Sequence, residues 1–262
     1  MELEVNYIDA FTDSIFGGNP AAVILIEDWL SDDLMQSIAA ENNLSETAFS
    51  VRNGDTFHIR WFSPLTEIDF CGHATLATAY VLFNKYADFE TLEFYAKAVG
   101  EFKVCKADSG FIKMSFPNRK PEPVDIIPDA LIQGLSITPD EVLLSQQAYF
   151  VVYSSEEHVL TVKQDKEHLK ELKPYDVVVT SGSKKYDFIS RYFWPANGGD
   201  EDPVTGSIHA GLAPFWAERL GKSKLQAFQA SKRGGHLFCT IDGDRVEISG
   251  TAVKYMSGTI SV

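Results

Sequence analysis

The sequence has few cysteines, little positive charge and no motif that pairs cysteines. Its three cysteines, Cys71, Cys105 and Cys239, are an odd number, and their wide spacing fits neither a disulfide framework nor paired zinc ligands. The 23 basic residues against 37 acidic ones leave a net charge of −14, without a basic run to bind a phosphate backbone. We therefore expect a reducing, cytoplasmic location and no nucleic-acid partner.

Long apolar runs and common cofactor motifs are missing as well. No run approaches the roughly 20 apolar residues that cross a bilayer, and the start MELEVNYIDAF does not resemble a signal peptide, so no membrane association is expected. The sequence lacks GxGxxG after a strand, GxxxxGK[ST], HExxH and GxSxG. Four histidines, His58, His158, His168 and His236, are scattered without ligand-like spacing. These absences predict no metal and no organic cofactor.

Short strand patterns separated by turn residues fill most of the chain. Before Pro117 they are VNYIDAF, AAVILI, ETAFSVR, FHIRWF, TLEFYAK, EFKVCKA and FIKMSF. After the turn-rich stretch PNRKPEPVD they are YFVVY, HVLTV, YDVVVTS, DFISRYFW, LQAFQAS, HLFCTI, RVEISG and TAVKYMSGTISV. Both halves are therefore predicted to be strand-rich. Surface helices are expected at LSDDLMQSIAAENN, with Ser31 as N-cap, and at DKEHLKELK.

Two further helix patterns are almost free of charge, CGHATLATAYVLF from Cys71 and TGSIHAGLAPFWAERL from Thr205. A helix that is apolar on all sides lies inside a protein. Gly72 and Gly206, near the two helix starts, are 134 positions apart, about half of the chain, which indicates a weak internal duplication. Pro214 is expected to kink or end the second helix.

The starts of buried helices are candidate anion sites, because their first N–H groups are unpaired and the helix dipole is positive there. Gly72 and Gly206 would allow a ligand to approach the backbone closely. Ordinary helix starts are the competing interpretation.

Several side chains near these helices could do chemistry. Glu46, in NLSETAFSV, precedes an apolar strand, and burial of its carboxylate would suit proton transfer, although a solvated loop glutamate is the competing reading. Glu67 and Asp69 are interpreted as strand-end groups that support the helix start. Cys71 could be a reactive thiolate at a helix N-terminus or a buried, inert cysteine.

His73 follows Gly72 at the first buried helix, while Asp202 and Ser207 flank Gly206 at the second. Each of these three is weak evidence alone, because a single histidine is usually structural and Asp or Ser near a helix start is usually a cap.

Five blocks in order resemble the PhzF-like phenazine-biosynthesis family: IDAFTDSIFGGNPAAV, NLSETAF, WFSPLTEIDFCGHATLATAYVLF, GGDEDPVTGSIHAGLAPFW and RGGHLF. The resemblance implies an α+β fold like that of diaminopimelate epimerase, with two pseudo-symmetric halves, each a strand-rich barrel around a buried central helix, and an active site between them. We expect the first half to comprise residues 1–117, joined by the C-terminal strand 251–262, and the second to comprise residues 118–250.

The resemblance also implies roles for individual residues. Glu46 matches the family's catalytic glutamate. His73, Asp202 and Ser207, with the amides near Gly72 and Gly206, match its substrate-binding positions. The implied reaction is a cofactor-independent isomerisation that moves a proton on a small carboxylate-bearing metabolite similar to dihydro-3-hydroxyanthranilate. Electrostatic stabilisation by preorganised donors is the physical basis for such a site. A homodimer is implied as well.

Three other functions compete with this one. The chain could be a metabolite-binding protein that kept the cleft without turnover. It could be a cysteine-assisted epimerase, although the second helix start, DPVTGS, lacks the cysteine that a two-thiol mechanism needs. Hydrolysis through Cys71 and His73 is disfavoured, because sequence neighbours need not point together and a third orienting group cannot be identified.

Overall fold

The computed structural model describes residues 1–107 and 110–262, and these residues form two compact units. The first unit comprises residues 1–115 and 249–262, and the second comprises residues 116–248. Within the described residues, no helix is both long and apolar enough to span a membrane.

The first segment of the chain alternates strands with two helices. Its elements are β1 (Glu2–Ala10), β2 (Asn19–Ile26), α1 (Asp32–Asn42), β3 (Glu46–Asn53), β4 (Thr56–Phe62), β5 (Glu67–Ile68), α2 (Gly72–Lys85), β6 (Thr91–Ala96), β7 (Gly100–Lys106) and β8 (Ile112–Pro117).

The second segment is built in the same way, with more short helices. Its elements are β9 (Glu122–Pro123), α3 (Asp129–Gln133), β10 (Glu141–Leu144), β11 (Ala148–Val152), α4 (Glu156–Thr161), α5 (Lys166–Lys170), β12 (Asp176–Gly182), β13 (Phe188–Phe193), β14 (Glu201–Asp202), α6 (His209–Leu220), β15 (Lys224–Gln229), β16 (Gly235–Asp242) and β17 (Arg245–Gly250). A 3₁₀ turn spans Pro195–Asn197, and the last strand, β18 (Ala252–Ser261), returns to the first unit.

In the first unit the strands surround α2. Strand β1 pairs antiparallel with β2 and with β18, β2 pairs parallel with β3, and β3 pairs antiparallel with β4. Strands β6, β7 and β8 continue the sheet. Helix α2 packs against β1, β2, β3, β7 and β18, and ten of its fourteen residues are buried, so it is apolar on all sides as its sequence predicts.

The two units repeat one pattern of strand pairing. In the first unit β2 and β3 are parallel, β3 and β4 antiparallel, and β4 pairs antiparallel with the two-residue strand β5 and parallel with β6. In the second unit β11, β12, β13, β14 and β15 pair in the same order with the same directions. Each buried helix follows its two-residue strand. The pseudo-symmetric α+β architecture predicted from the sequence is therefore confirmed.

Helix α6 differs from its prediction at its start. It begins at His209, because the backbone N–H groups of His209, Ala210 and Gly211 bond to carbonyls three residues earlier instead of four. The carbonyl of Thr205, which would accept the first α-helical bond, contacts the His209 ring at Nδ1 instead. The predicted start at Thr205 was therefore four residues early.

Pro214 does not end this helix, which was one of the two outcomes expected from the sequence, because α6 continues to Leu220. A proline lacks the N–H that would bond to the carbonyl of Ala210. The backbone N–H of Arg119 donates to that carbonyl at 3.0 Å instead. The helix can therefore continue through Pro214 without leaving the Ala210 carbonyl unsatisfied.

The predicted strand HVLTV is also wrong, because its first four residues lie in α4. Val159 and Val162 are buried while Leu160 is exposed, a three-residue spacing that suits a helix rather than a strand. The negative charges of Glu156 and Glu157, in the first turn, interact favourably with the positive end of the helix dipole and so stabilise the helix. The other two surface predictions are confirmed: Ser31 caps α1, and α5 lies within DKEHLKELK.

Candidate functional site

In the first unit, β3 and α2 bring three predicted side chains together. Glu46 is the first residue of β3, opposite Ala21 of β2. Cys71 is the N-cap residue of α2, with extended backbone, and His73 is the second residue of that helix. All three side chains therefore lie at the positive end of the helix dipole.

A strained loop between β1 and β2 adds a fourth side chain. Phe11 and Phe16 have positive φ values of 62° and 71°, and Gly18 has φ 60°. A Cβ on Gly18 would lie 2.1 Å from the carbonyl oxygen of Ala10, so only glycine fits there. The loop places the fully buried Asn19 directly beside the buried helix start.

His73 is the centre of this group. Its Nε2 lies 3.0 Å from Oε2 of Glu46, and its Nδ1 lies 3.0 Å from Nδ2 of Asn19. The Cys71 Sγ lies 3.4 Å from Nδ1. The prediction that Cys71 and His73 need not point together is thus corrected, because the turn between them directs both inward.

The pKa values of Cys71 and His73 are both raised, which favours the neutral form of the thiol and the charged form of the imidazole. Burial opposes a charge on the His73 imidazole, but Cys71 and Glu46 favour that charge more strongly, so the pKa of His73 lies well above its ordinary value. Burial, with a contribution from Glu46, raises the pKa of the Cys71 thiol to about 11. Because this thiol is neutral at pH 7, the Glu46 carboxylate is the neighbour that favours a charge on His73, and the charged ring requires the Asn19 amide to turn by half so that its oxygen accepts Nδ1–H.

This arrangement is suited to moving a proton. A charged imidazole whose Nε2 lies 3.0 Å from Oε2 of Glu46 forms an ion pair with that carboxylate and orients it, and the Glu46 side chain keeps 12% of its surface exposed. A carboxylate held in this way, with limited contact to water, can accept and return a proton. The neutral Cys71 thiol is a poor nucleophile, which argues against the hydrolase interpretation.

Glu67 lies away from this chemistry and stabilises the strand before the helix. The Arg60 guanidinium on β4 donates two hydrogen bonds, each of 2.6 Å, to the Glu67 carboxylate on β5. In the second unit Arg191 on β13 makes the same bidentate pair with Glu201 on β14, at 2.7 and 2.9 Å. We call these pairs the Arg–Glu clamps. Each clamp glutamate precedes its glycine, Gly72 or Gly206, by five positions.

In the second unit, Asp202 belongs to a compact polar turn. The Thr205 hydroxyl donates to the Asp202 carboxylate, and the Thr205 backbone N–H donates to Oε1 of Gln229 at 2.9 Å. The Gln229 amide in turn donates to the Asp202 carbonyl at 2.8 Å. The buried Gln229 thereby fixes the turn that contains Gly206.

Ser207 is held by a second chain of hydrogen bonds. The Gln147 amide nitrogen donates to the hydroxyl oxygens of Ser207 and Tyr192, both at 3.0 Å. The Tyr192 hydroxyl donates to Asp176 at 2.6 Å, and burial raises the pKa of the Asp176 carboxyl. Because the Ser207 oxygen accepts from Gln147, its own O–H remains a donor. The N-cap residue of α6 is Ile208, so Ser207 is not a helix cap, contrary to the usual interpretation of such a residue.

The structure thus groups Glu46, Cys71 and His73 in one unit, and Asp202 with Ser207 near Gly206 in the other. Sequence reasoning missed the polar residues that hold these groups, namely the buried Asn19, Tyr192 and Gln229 and the half-buried Gln147. Asn19 lies in the GGNP segment of the first family block, which was the one signal for it in the sequence.

Comparison with known proteins agrees with this architecture. An uncharacterized isomerase from Pseudomonas aeruginosa is 47% identical over 260 residues, which cover 99% of each chain. The crystal structure of a phenazine biosynthesis protein of the PhzF family from Enterococcus faecalis has a TM-score of 0.95 and 43% identity, with 100% of each chain covered.

A predicted epimerase from Pseudomonas aeruginosa has a TM-score of 0.79 at 18% identity, with 99% of each chain covered, and so shares the fold alone. The epimerase-like fold expected from the sequence is confirmed. The family described as phenazine biosynthesis-like protein, PhzC-PhzF, matches residues 8–258, and this chain therefore belongs to that family.

Proposed function

We propose that the protein is an isomerase that moves a proton on a small carboxylate-bearing metabolite, similar to dihydro-3-hydroxyanthranilate, in a biosynthetic pathway. The observation that carries this proposal is the 3.0 Å contact between the Glu46 carboxylate and His73 Nε2 in a mostly buried cluster. The isomerase name of the Pseudomonas aeruginosa relative, 47% identical to this chain, supports the reaction class.

In this proposal Glu46 removes the proton from one carbon and returns it to another, so no cofactor is required. His73, whose pKa is raised and whose Nε2 lies 3.0 Å from Glu46 Oε2, orients the carboxylate toward the substrate. Asp202, Ser207 and the backbone near Gly72 and Gly206 bind the polar groups of the substrate. Ser207 is suited to this role because Gln147 leaves its O–H available as a donor.

A cysteine-assisted epimerase is the second candidate, because Cys71 lies beside His73. It is less well supported, since a thiol with a pKa of about 11 is a weak base at pH 7. A non-catalytic binding protein is the third candidate. Unlike the isomerase, it would not exchange substrate protons with solvent.

The test is proton NMR in D₂O with dihydro-3-hydroxyanthranilate and a panel of small amino and hydroxy acids. Wild type is expected to incorporate deuterium or shift a double bond, and Glu46→Gln to lose at least ~100-fold of that rate, the typical contribution of a general base. Glu67→Gln is the matched control, because it neutralises a carboxylate outside the cluster.

Full exchange in Glu46→Gln with loss in Cys71→Ser would replace the isomerase proposal by the cysteine-assisted one. Tight binding of a panel compound without exchange in the wild type would favour the binding protein.

A further inference from the structure

The Glu46–Cys71–His73 cluster presents three different metal-binding atoms to one point. A carboxylate oxygen, a thiol sulfur and a ring nitrogen all lie within 4.8 Å of one another. Among the residues that the structure describes, no other group of three such side chains has this geometry. Sequence spacing does not indicate this cluster, because Glu46 is 27 positions before His73.

Two of the three separations are close to those between ligands of a tetrahedral ion. With ordinary zinc–ligand bond lengths, a tetrahedral site places its nitrogen ~3.3 Å from an oxygen ligand and ~3.5 Å from a sulfur ligand. The His73 Nε2 lies 3.0 Å from Glu46 Oε2 and 3.9 Å from Cys71 Sγ. The Cys71 Sγ lies within 4.8 Å of the Glu46 oxygen and closer to Nδ1 of His73, at 3.4 Å, than to Nε2, so a rotation of the cysteine side chain toward Nε2 would place all three around one ion.

The surroundings favour an ion of borderline softness. Thiolate and imidazole ligands select Zn²⁺ and its relatives, whereas Mg²⁺ and Ca²⁺ require oxygen ligands. Cys71 and His73 are 7% and 4% exposed, so the site lies in a low-dielectric region that strengthens ion–ligand attraction. Asn19 faces His73 Nδ1, and its amide oxygen, after a half-turn of the amide, can accept Nδ1–H while Nε2 binds the ion.

We propose that Glu46, Cys71 and His73 bind Zn²⁺, with a water in the fourth position, and that the bound ion inhibits the enzyme. On binding, the Cys71 S–H bond breaks, its proton passes to solvent, and the sulfur lone pair forms the bond to the ion. His73 also loses its Nε2 proton to solvent and binds as the neutral imidazole with Nδ1–H retained, and the Glu46 carboxylate binds through one oxygen. The inhibition rests on the proposed function of Glu46, whereas the binding does not.

Titration of the metal-free protein with Co²⁺ tests the binding, because Co²⁺ occupies zinc sites and reports a thiolate ligand by a charge-transfer band. Wild type and Cys105→Ser, whose thiol lies on β7, are expected to show the band together with the strong visible absorption of tetrahedral cobalt. Cys71→Ser is expected to lose the band. Absence of the band in wild type, or its persistence in Cys71→Ser, would overturn the site.

If Cys71→Ser does not fold, Glu46→Ala provides the second test. It keeps the thiolate and is expected to keep the band while the affinity for Co²⁺ falls roughly tenfold or more. Unchanged affinity would overturn the three-ligand site. Inhibition is tested separately, by adding Zn²⁺ and then a chelator to the deuterium-exchange assay. If the protein shows no deuterium exchange even without Zn²⁺, the proposed function is contradicted, and the Co²⁺ spectrum still decides whether the ion site exists.

Discussion

The second unit contains a histidine that should make the protein sensitive to acid. His209 is fully buried, its Nδ1 bonds to the Thr205 carbonyl at 2.9 Å, and its ring lies beside that of Phe188. Its Nε2 has no hydrogen-bond partner among the described residues. Burial lowers the pKa of His209 to about 4, because a charge there would have no compensating neighbour.

The size of the effect follows from proton linkage. Below pH ~6.5 the unfolded chain binds a proton at this histidine while the native state does not, so the free energy of unfolding falls as the pH falls. The loss is about 1.4 kcal/mol per pH unit and totals roughly 3 kcal/mol near pH 4. Since domains are stable by about 5–15 kcal/mol, this single residue should account for a sizeable part of acid denaturation.

Urea unfolding at several pH values, for wild type and His209→Asn, measures this contribution. The asparagine amide can keep the bond to the Thr205 carbonyl but cannot titrate. As the pH falls, we expect the free energy of unfolding of wild type to decrease more steeply than that of His209→Asn. His58→Asn, on β4, is the control for removing a histidine. An equally steep fall in wild type and His209→Asn would refute the assignment.

Three further predictions concern the first unit and the assembly. In the presence of a chelator, the free energy of unfolding of His73→Asn should lie furthest below that of wild type when the pH is below ~6.5. The difference should shrink as the pH rises through the raised pKa of His73. A difference that does not change with pH would contradict a charged His73. Gly18→Ala should reduce the free energy of unfolding by roughly 2–4 kcal/mol. Gly54→Ala is the control and should reduce it by only ~1 kcal/mol, because Gly54 also has a positive φ, 64°, but a Cβ added there would meet no atom within 4 Å. Equal losses would show that the contact with Ala10 is unimportant. We also propose a homodimer, as the family resemblance implies, and light scattering should give twice the 29.1 kDa chain mass; the mass of one chain would reject it.

Much of the fold could be predicted from the sequence because it depends on local patterns. Alternating apolar residues identify strands such as FHIRWF, and the absence of charge identifies α2 and α6 as buried. The errors occurred where tertiary contacts decide. HVLTV has β-branched residues yet forms a helix, and Pro214 is tolerated because Arg119, nearly a hundred positions earlier, bonds to Ala210.

The candidate site was predictable in its residue types but not in its contacts. Glu46 and His73 could be identified through the family blocks, but their 3.0 Å contact depends on the packing of β3 against α2. Asn19 and Gln147 could not be selected, because a single amide in a sequence does not indicate whether folding buries it or which group it faces.

The repeated Arg–Glu clamps have a consequence for how this chemistry can change. Each clamp fixes a short strand at a constant distance along the chain from a glycine, and the residues on either side of that glycine are Cys71 and His73 in one unit and Thr205 and Ser207 in the other. The clamp residues are therefore distinct from the residues beside each glycine, so a substitution beside a glycine leaves the Arg–Glu pair in place. Thr205→Cys would remove the Thr205 hydroxyl that donates to Asp202, and it would give the second unit a thiol beside its glycine as Cys71 does in the first, so this chain is one substitution from having a cysteine beside each glycine.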